Sequence, residues 1–203
     1  MQLKTDITQT GTVDEHIYID AASLLPAALV ADLRTDHAGE TGAVMIYRGI
    51  LAVTRDPGVR HFAQGHLVTE MGHLAQIEPL LAVGQRSLLL PVWRIAGWLS
   101  GALPALFGPR AVYATIEAVE TFVDHHYAEQ IQSIDQQDPA CKHPQLQALR
   151  TLLQSCRDDE IEHRDEAAEL FSLGGRPPSL ALRVWVWLVG AGSRGAVKIC
   201  RHV

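Results

Sequence analysis

The sequence predicts an all-α fold: a four-helix bundle with a long apolar crossover segment and an extra amphipathic helix at the C-terminus. Three observations support this class. No segment alternates apolar and polar residues as a half-buried strand does, and pairs containing Gly or Pro divide the chain into long segments. With 203 residues, 47% of them hydrophobic, the chain can form one domain with a sizeable core.

Each predicted bundle helix has turn residues at its boundaries. Ser23 can cap the first helix, with Pro26 in its first turn. A short turn at residues 56–58 makes the first two helices antiparallel neighbours, and the second helix stops at Gly84. The four predicted helices cover about residues 23–55, 59–83, 109–137 and 144–173.

The remaining segments surround the bundle, which spans residues 23–175. Residues 1–22 form an N-terminal arm, which is polar and lacks the apolar region of a signal peptide, so we do not expect one. Residues 85–108 form the apolar crossover, which we expect to face a membrane. Residues 176–203 form an apolar and basic C-terminal segment.

Six residues predict a metal site. A lone Glu followed by the motif Glu-x-x-His occurs twice along the chain. Residues three apart on a helix project from one face. Bundles of the ferritin-like class hold two metal ions with one Glu from each of two helices and one Glu-x-x-His from each of the other two. The predicted ligands are Glu40, Glu70, His73, Glu120, Glu160 and His163.

The two halves of this pattern resemble each other. Tyr47 follows Glu40 at the same offset at which Tyr127 follows Glu120, which suggests a duplicated helical hairpin. A single Glu-x-x-His on an exposed helix is more often a solvated polar face. Two copies, each behind a lone Glu, favour the metal site.

The donor set indicates which metal the site prefers. Carboxylates with one imidazole per ion and no thiolate suit iron or manganese better than zinc. We expect Glu70 and Glu160 to bridge two ions, and Glu40 and Glu120 to bind one ion each. Such a set leaves coordination positions open for oxygen.

Several polar residues adjoin the predicted ligands. Asp36, one turn before Glu40, and Asp124, one turn after Glu120, are candidates to accept a hydrogen bond from a ligating His, or else are surface residues. Tyr127 is the candidate catalytic residue: it lines the oxygen or substrate pocket, or else packs in the bundle core. Three histidines adjoin the site but fall off the ligand spacing: His37, His125 and His126.

Two apolar stretches, residues 88–107 and 180–199, carry all four tryptophans. Trp with Arg or Lys at the edges is typical of a segment that lies in the membrane interface. Neither is a convincing span, since the first contains Pro91, Arg94 and Pro104 and the second is continuously apolar only over residues 184–192. We expect surface contact with a membrane; extra core helices or an oligomer interface are the alternative.

Composition excludes other classes. The net charge of −6 shows no basic excess, so we expect no nucleic-acid partner. Three cysteines without a Cys-x-x-Cys motif favour a reducing, cytoplasmic compartment over a disulfide framework.

Between about Leu33 and Leu173 the chain resembles the demethoxyubiquinone hydroxylases of ubiquinone biosynthesis, in their compact bacterial form. The resemblance covers all six predicted ligand positions. It is carried by Arg34-Thr35-Asp36-His37-Ala38-Gly39-Glu40, Glu70-Met71-Gly72-His73, Ala118-Val119-Glu120, His125-His126-Tyr127 and Glu160-Ile161-Glu162-His163.

The resemblance implies a function for the site. Members of that family are membrane-associated di-iron monooxygenases that use O2 to hydroxylate the ring of a polyprenyl benzoquinol. It implies two Fe ions per chain and either NADH or the quinol itself as reductant, although no Rossmann glycine motif is present. It also implies a peripheral position on the cytoplasmic face of the cell membrane, with other ubiquinone-biosynthesis proteins or a second copy of the chain as partners.

Two alternative hypotheses account for part of this pattern. A ferritin-like ferroxidase or iron-handling protein would use the same ligands but would not need tryptophan-rich apolar stretches. A non-catalytic helical protein of the membrane surface would not need six ligands at duplicated spacing.

Overall fold

The structure is a computed structural model that describes residues 25–203. The predicted arm at residues 1–22 and the predicted cap Ser23 lie outside the described residues. The part of the chain that is described is helical and contains no strand, which confirms the predicted all-α class. Its helices are α1 Ala27–Val53, α2 Pro57–Ile77, α3 Leu90–Leu106, α4 Pro109–Gln137, α5 Pro144–Ser172 and α6 Leu180–Cys200.

Helices α1, α2, α4 and α5 form the four-helix bundle. The hairpins α1–α2 and α4–α5 are each closed by a short loop, and α2 contacts α5 across the bundle. Two apolar clusters fill the interior. One, around Leu33, Ile77 and Leu149, packs one end of the bundle, and the other, around Ile50, Phe62 and Ile116, packs the opposite end. The predicted ligands lie between them along each helix.

The boundary of the second helix differs from the prediction. Its α-helical part ends at Ile77 rather than near residue 83, and two short 3₁₀ helices follow, Glu78–Leu80 and Val83–Gln85. Pro79 lies directly after this end and has no backbone N–H to continue the helical hydrogen bonds. The first helix begins at Ala27, so Pro26 precedes its first turn rather than lying within it.

The apolar crossover contains a continuous helix, α3, that includes both of its prolines. Pro91 lies in the first turn of α3, where an N–H is not needed, and Pro104 lies in the last turn. Helix α3 packs closely against α1 through glycines. A Cβ at Gly97 would overlap the Gly42 carbonyl oxygen, and one at Gly101 would overlap the Ile46 carbonyl oxygen. Glycine is therefore required at this crossing.

Helix α6 packs mainly on α4 and also touches α1. Trp185 Nε1–H donates a hydrogen bond of 2.9 Å to Thr115 Oγ1 on α4. The chain end is held by Ser87, whose hydroxyl donates to the Val203 carbonyl oxygen at 2.9 Å. Within residues 25–203, no helix combines the length and the apolarity that crossing a membrane requires.

Candidate metal centre

The structure brings all six predicted ligands together at the centre of the bundle. Each is buried, with no more than 6% of its surface exposed. They form two groups of four, and within each group one atom of every residue lies within 4.8 Å of the others. Glu70 and Glu160 belong to both groups, as expected for bridging ligands. The groups are Glu40, Glu70, His73 and Glu160, and Glu70, Glu120, Glu160 and His163.

Each histidine faces the glutamate of the other Glu-x-x-His motif. His73 Nδ1 lies 3.2 Å from Glu160 Oε1, and His163 Nδ1 lies 3.2 Å from Glu70 Oε1. His73 Nδ1 is also 3.7 Å from Glu40 Oε2. The centre therefore has the approximate twofold symmetry that the duplicated motif suggested.

Unpartnered polar atoms test whether these residues fit metal ions. Twelve buried side-chain atoms of the described chain lack a hydrogen-bond partner, and seven of them belong to the six predicted ligands. They include both histidine Nδ1 atoms and both carboxylate oxygens of Glu70. Burying such atoms unpaired is costly. Cations between them would satisfy them, so the residues fit a pair of metal ions.

The electrostatics of the site also favour bound cations. Burial, reinforced by the neighbouring carboxylates, raises the pKa of Glu70 and Glu120 well above the ordinary value, and burial also raises the pKa of Glu160. Burial lowers the pKa of His73, but the carboxylates of Glu160 and Glu40 outweigh it and raise that pKa to about 12. The site thus holds more negative charge than it can accommodate without bound protons or cations.

The residues that support the ligands differ from those the sequence suggested. Asp36 contacts His126 and Gln130, and Asp124 is paired with two arginines, so neither accepts from a ligating histidine. Asp159 takes that role for His73, with its Oδ2 2.9 Å from His73 Nε2. Its only signal in the sequence is its position directly before Glu160.

Two tyrosines connect the halves of the site. The Tyr127 hydroxyl donates to Glu40 Oε1, and the Tyr47 hydroxyl donates to Glu120 Oε1 at 3.0 Å. Tyr127 is buried in the core and also lines a cavity beside the predicted ligands, so it occupies both of the positions expected for it.

One histidine near the site was missed by the sequence reasoning. The His66 ring stacks on His163, with centroids 3.9 Å apart, and its Nε2 lies 2.7 Å from Glu166 Oε2. It lies one turn before Glu70, on the same face of α2, which is the signal that could have identified it.

Of the three histidines that adjoin the predicted ligands in sequence, His37 and His125 lie away from those ligands in the structure. His125 is exposed, with its Nδ1 2.6 Å from the Thr121 carbonyl oxygen. His37 is buried, 3.7 Å from a Glu78 carboxylate oxygen.

A cavity of about 440 Å³ ends on the predicted ligands. Four carboxylates of the predicted set form part of its lining, together with Tyr127, and most of the remaining lining is apolar. Helices α3 and α6, which come from the two tryptophan-rich stretches, supply much of that apolar wall. The wall residues include Val92, Trp93, Trp185, Leu188, Val189 and Val197.

Comparison with known proteins identifies the family. A model of the family described as ubiquinone biosynthesis protein COQ7 matches residues 27–200 of the chain. The chain belongs to this family. The resemblance drawn from the sequence motifs is thereby confirmed.

Individual members of the COQ7 family align over most of the chain. It is 39% identical over 187 residues to the 3-demethoxyubiquinol 3-hydroxylase of Rhodospirillum rubrum, covering 88% of this chain and 80% of that protein. It is 35% identical over 141 residues to the human mitochondrial NADPH-dependent 3-demethoxyubiquinone 3-hydroxylase, covering 68% of this chain. The alignment spans 63% of the human protein's length.

Proposed function

We propose that this protein is an O2-dependent 3-demethoxyubiquinol hydroxylase, a monooxygenase of ubiquinone biosynthesis. The observation that carries the proposal is the apolar cavity that ends on four buried carboxylates. A hydrophobic substrate can enter such a cavity and place one ring edge beside a metal site. Relatives of the chain in the COQ7 family are named as hydroxylases of this substrate.

The metal part of the proposal assigns two iron ions to the six residues. Glu70 and Glu160 would be shared between the ions, while Glu40 with His73, and Glu120 with His163, would each serve one ion. Iron held there would supply the activation of O2.

Side chains around the site orient the predicted ligands and exclude water from the cavity. Tyr127 and Tyr47 hold Glu40 and Glu120 by hydrogen bonds, which fixes the carboxylate rotamers. Asp159 holds His73 from its far side and thereby sets which ring nitrogen faces the centre. The apolar wall of the cavity excludes water from the reacting ring, which strengthens the electrostatic interactions inside.

We propose that the substrate tail lies between α3 and α6. Both helices line the cavity, and both expose large apolar side chains on their outer faces. Phe107, directly after the end of α3, is 82% exposed, and Trp187 on α6 is 63% exposed. Exposed apolar surface of this extent marks a site of interaction. We propose that these faces rest on the cytoplasmic side of the cell membrane, so that a polyprenyl quinol passes from the bilayer into the cavity.

The electron donor and protein partners are part of the same proposal. Electrons come from a reduced nicotinamide, NADH or NADPH, or from the quinol itself; the human relative is named for NADPH. We also propose that part of the exposed apolar surface binds other proteins of ubiquinone biosynthesis or a second copy of the chain.

Oxygen labelling tests the function directly. The iron-loaded enzyme is given a short-chain demethoxyubiquinol and ¹⁸O2, and the product is analysed by mass spectrometry. One oxygen atom of the product should come from O2. Label-free product would exclude a monooxygenase, and iron oxidation without any quinol product would favour the ferroxidase alternative.

A further inference from the structure

A buried polar cluster lies at the wall of the cavity, away from the predicted ligands. Asp36 on α1 is fully enclosed, and its Oδ1 lies 3.1 Å from His126 Nε2 on α4. Gln130 Nε2–H donates to the same Asp36 oxygen at 2.6 Å, and the Thr35 hydroxyl lies 3.0 Å from His126 Nε2. Nothing in the proposed handling of iron or oxygen uses these four residues.

The two nitrogens of His126 have different surroundings. All hydrogen bonds that His126 makes with residues 25–203 involve Nε2, so Nδ1 has no partner within that part of the chain. Asp36 Oδ2 and Gln130 Oε1 are buried and also unpartnered. A buried, unpartnered atom such as Asp36 Oδ2, whose residue lines the cavity, is costly unless a polar group of a ligand reaches the cluster.

The cluster lies close to the place where the ring of the substrate must react. His126, Asp36 and Thr35 line the same cavity as the metal-binding carboxylates. The His126 ring centroid is 6.3 Å from that of Tyr127, whose hydroxyl donates to Glu40. One aromatic ring thus separates His126 from the predicted ligands.

We propose that His126, oriented by Asp36, hydrogen-bonds a ring hydroxyl of the quinol through Nδ1 and so positions the ring in the cavity. The proposal rests on the proposed function and adds the polar anchor of the substrate. In an otherwise apolar cavity, such an anchor fixes orientation. Asp36 acts through His126 and is a positioning residue, because its carboxylate accepts from Nε2 and leaves Nδ1 free.

The protonation state of His126 does not decide whether this bond forms. Burial lowers its pKa, but the Asp36 carboxylate outweighs burial and raises it. A ring hydroxyl can donate to a neutral imidazole or accept from a charged one. The bond is therefore available in both states.

The test uses His126→Phe, which keeps a ring but removes both nitrogens, with Asp36→Asn as the second variant. The matched control is His125→Phe, because His125 is the neighbouring exposed histidine and does not line the cavity. Binding of a short-chain demethoxyubiquinol to the anaerobic, iron-loaded enzyme is followed by quenching of Trp93 and Trp185, which line the cavity.

Two analogues, each lacking one of the two ring hydroxyls, identify the contact. We expect Kd and KM for the quinol to rise about tenfold in His126→Phe, the loss of one hydrogen bond, at unchanged iron content. For the analogue that lacks the hydroxyl contacted by His126, wild type and His126→Phe should have the same Kd, because this analogue cannot form the hydrogen bond in either protein. Asp36→Asn should show the same pattern with a smaller change, and His125→Phe should match wild type.

Other outcomes overturn the inference. Equal weakening of the quinol and both analogues would show that His126 only shapes the cavity, and wild-type affinity in His126→Phe would show no contact. If His126→Phe does not fold, Asp36→Asn with wild-type affinity for every ligand overturns the proposal. Absence of quinol binding and hydroxylation in the wild-type enzyme would instead remove the proposed function.

Discussion

The Tyr47 hydroxyl lies 3.0 Å from Glu120 Oε1, joining a tyrosine of the first helical hairpin to a predicted ligand of the second. Tyr127 repeats the contact in reverse, since its hydroxyl donates to Glu40 Oε1 in the first hairpin. Each half of the duplicated motif therefore positions a carboxylate of the other half. A change in one hairpin should therefore alter the predicted metal ligands of the other hairpin.

The two tyrosines differ in one respect that can be tested. Tyr127 lines the cavity, whereas Tyr47 does not. We expect both Tyr127→Phe and Tyr47→Phe to keep their iron and to lose about 1–2 kcal/mol of stability from the missing hydrogen bond. Only Tyr127→Phe should lose a large part of its hydroxylation rate. Equal turnover in the two variants would place Tyr127 in the core alone.

Iron content should distinguish shared ligands from single ones. Glu160→Ala removes a carboxylate common to both groups, so iron per chain should fall well below one. Glu120→Ala affects one group and should leave about one iron per chain. The control is Glu162→Ala, which lies on the exposed side of the same helix and should bind two irons. Metal analysis that finds two irons in Glu160→Ala would remove Glu160 from the ligand set.

These contacts also show how far the sequence alone could go. The six candidate ligands were predictable because helical periodicity places residues three apart on one face, and the motif occurs twice. Asp159 and His66 were not found, since their roles depend on how α2 and α5 pack. The sequence analysis gave no bounds for α3, because the effect of a proline depends on the turn in which it lies, and that turn is set by where the helix begins.

Metal removal should destabilise the protein, and the loss should grow with pH. In the metal-free protein, burial and neighbouring carboxylates raise the pKa of Glu70 and Glu120 above the ordinary 4.5, so the folded state favours their protonated forms. The contribution of these two carboxyls to stability is then greatest below pH 4.5 and falls as pH rises toward their folded-state pKa values. The raised pKa of His73 acts in the same direction above pH 6.5.

Thermal unfolding with and without a chelator checks this. At pH 7, iron at one hundred times its Kd should add about 2.7 kcal/mol, and the gap between the loaded and metal-free protein should narrow toward pH 5. A metal-free protein that is as stable at pH 8 as at pH 5 would contradict the expected burial of unpaired carboxylates.

The close crossing of α1 and α3 predicts which glycines tolerate a side chain. Gly101→Ala places a methyl group against the Ile46 carbonyl oxygen, so the helices must separate, and we expect a loss of about 1–3 kcal/mol. Gly65→Ala is the control: it is exposed within α2, has open space around it, and should gain about 0.5–1 kcal/mol. Denaturant unfolding measures both. Destabilisation of similar size in the two variants would mean that the crossing is not tight.

Membrane contact should depend on the outer faces of α3 and α6. Replacing Phe107, which directly follows α3, and Trp187 on α6 by Ser removes two exposed apolar side chains. Binding to lipid vesicles should weaken by at least tenfold, because less apolar surface enters the interface. Val68→Ser is the matched control, since Val68 is 73% exposed but lies on α2. Co-sedimentation with vesicles measures binding.

Activity on a short-chain soluble quinol should stay near wild type in the double variant, whereas activity on a long-chain quinol in vesicles should fall. Unchanged sedimentation would assign these faces to a protein interface, and chromatographic size would then show whether a second copy of the chain covers them.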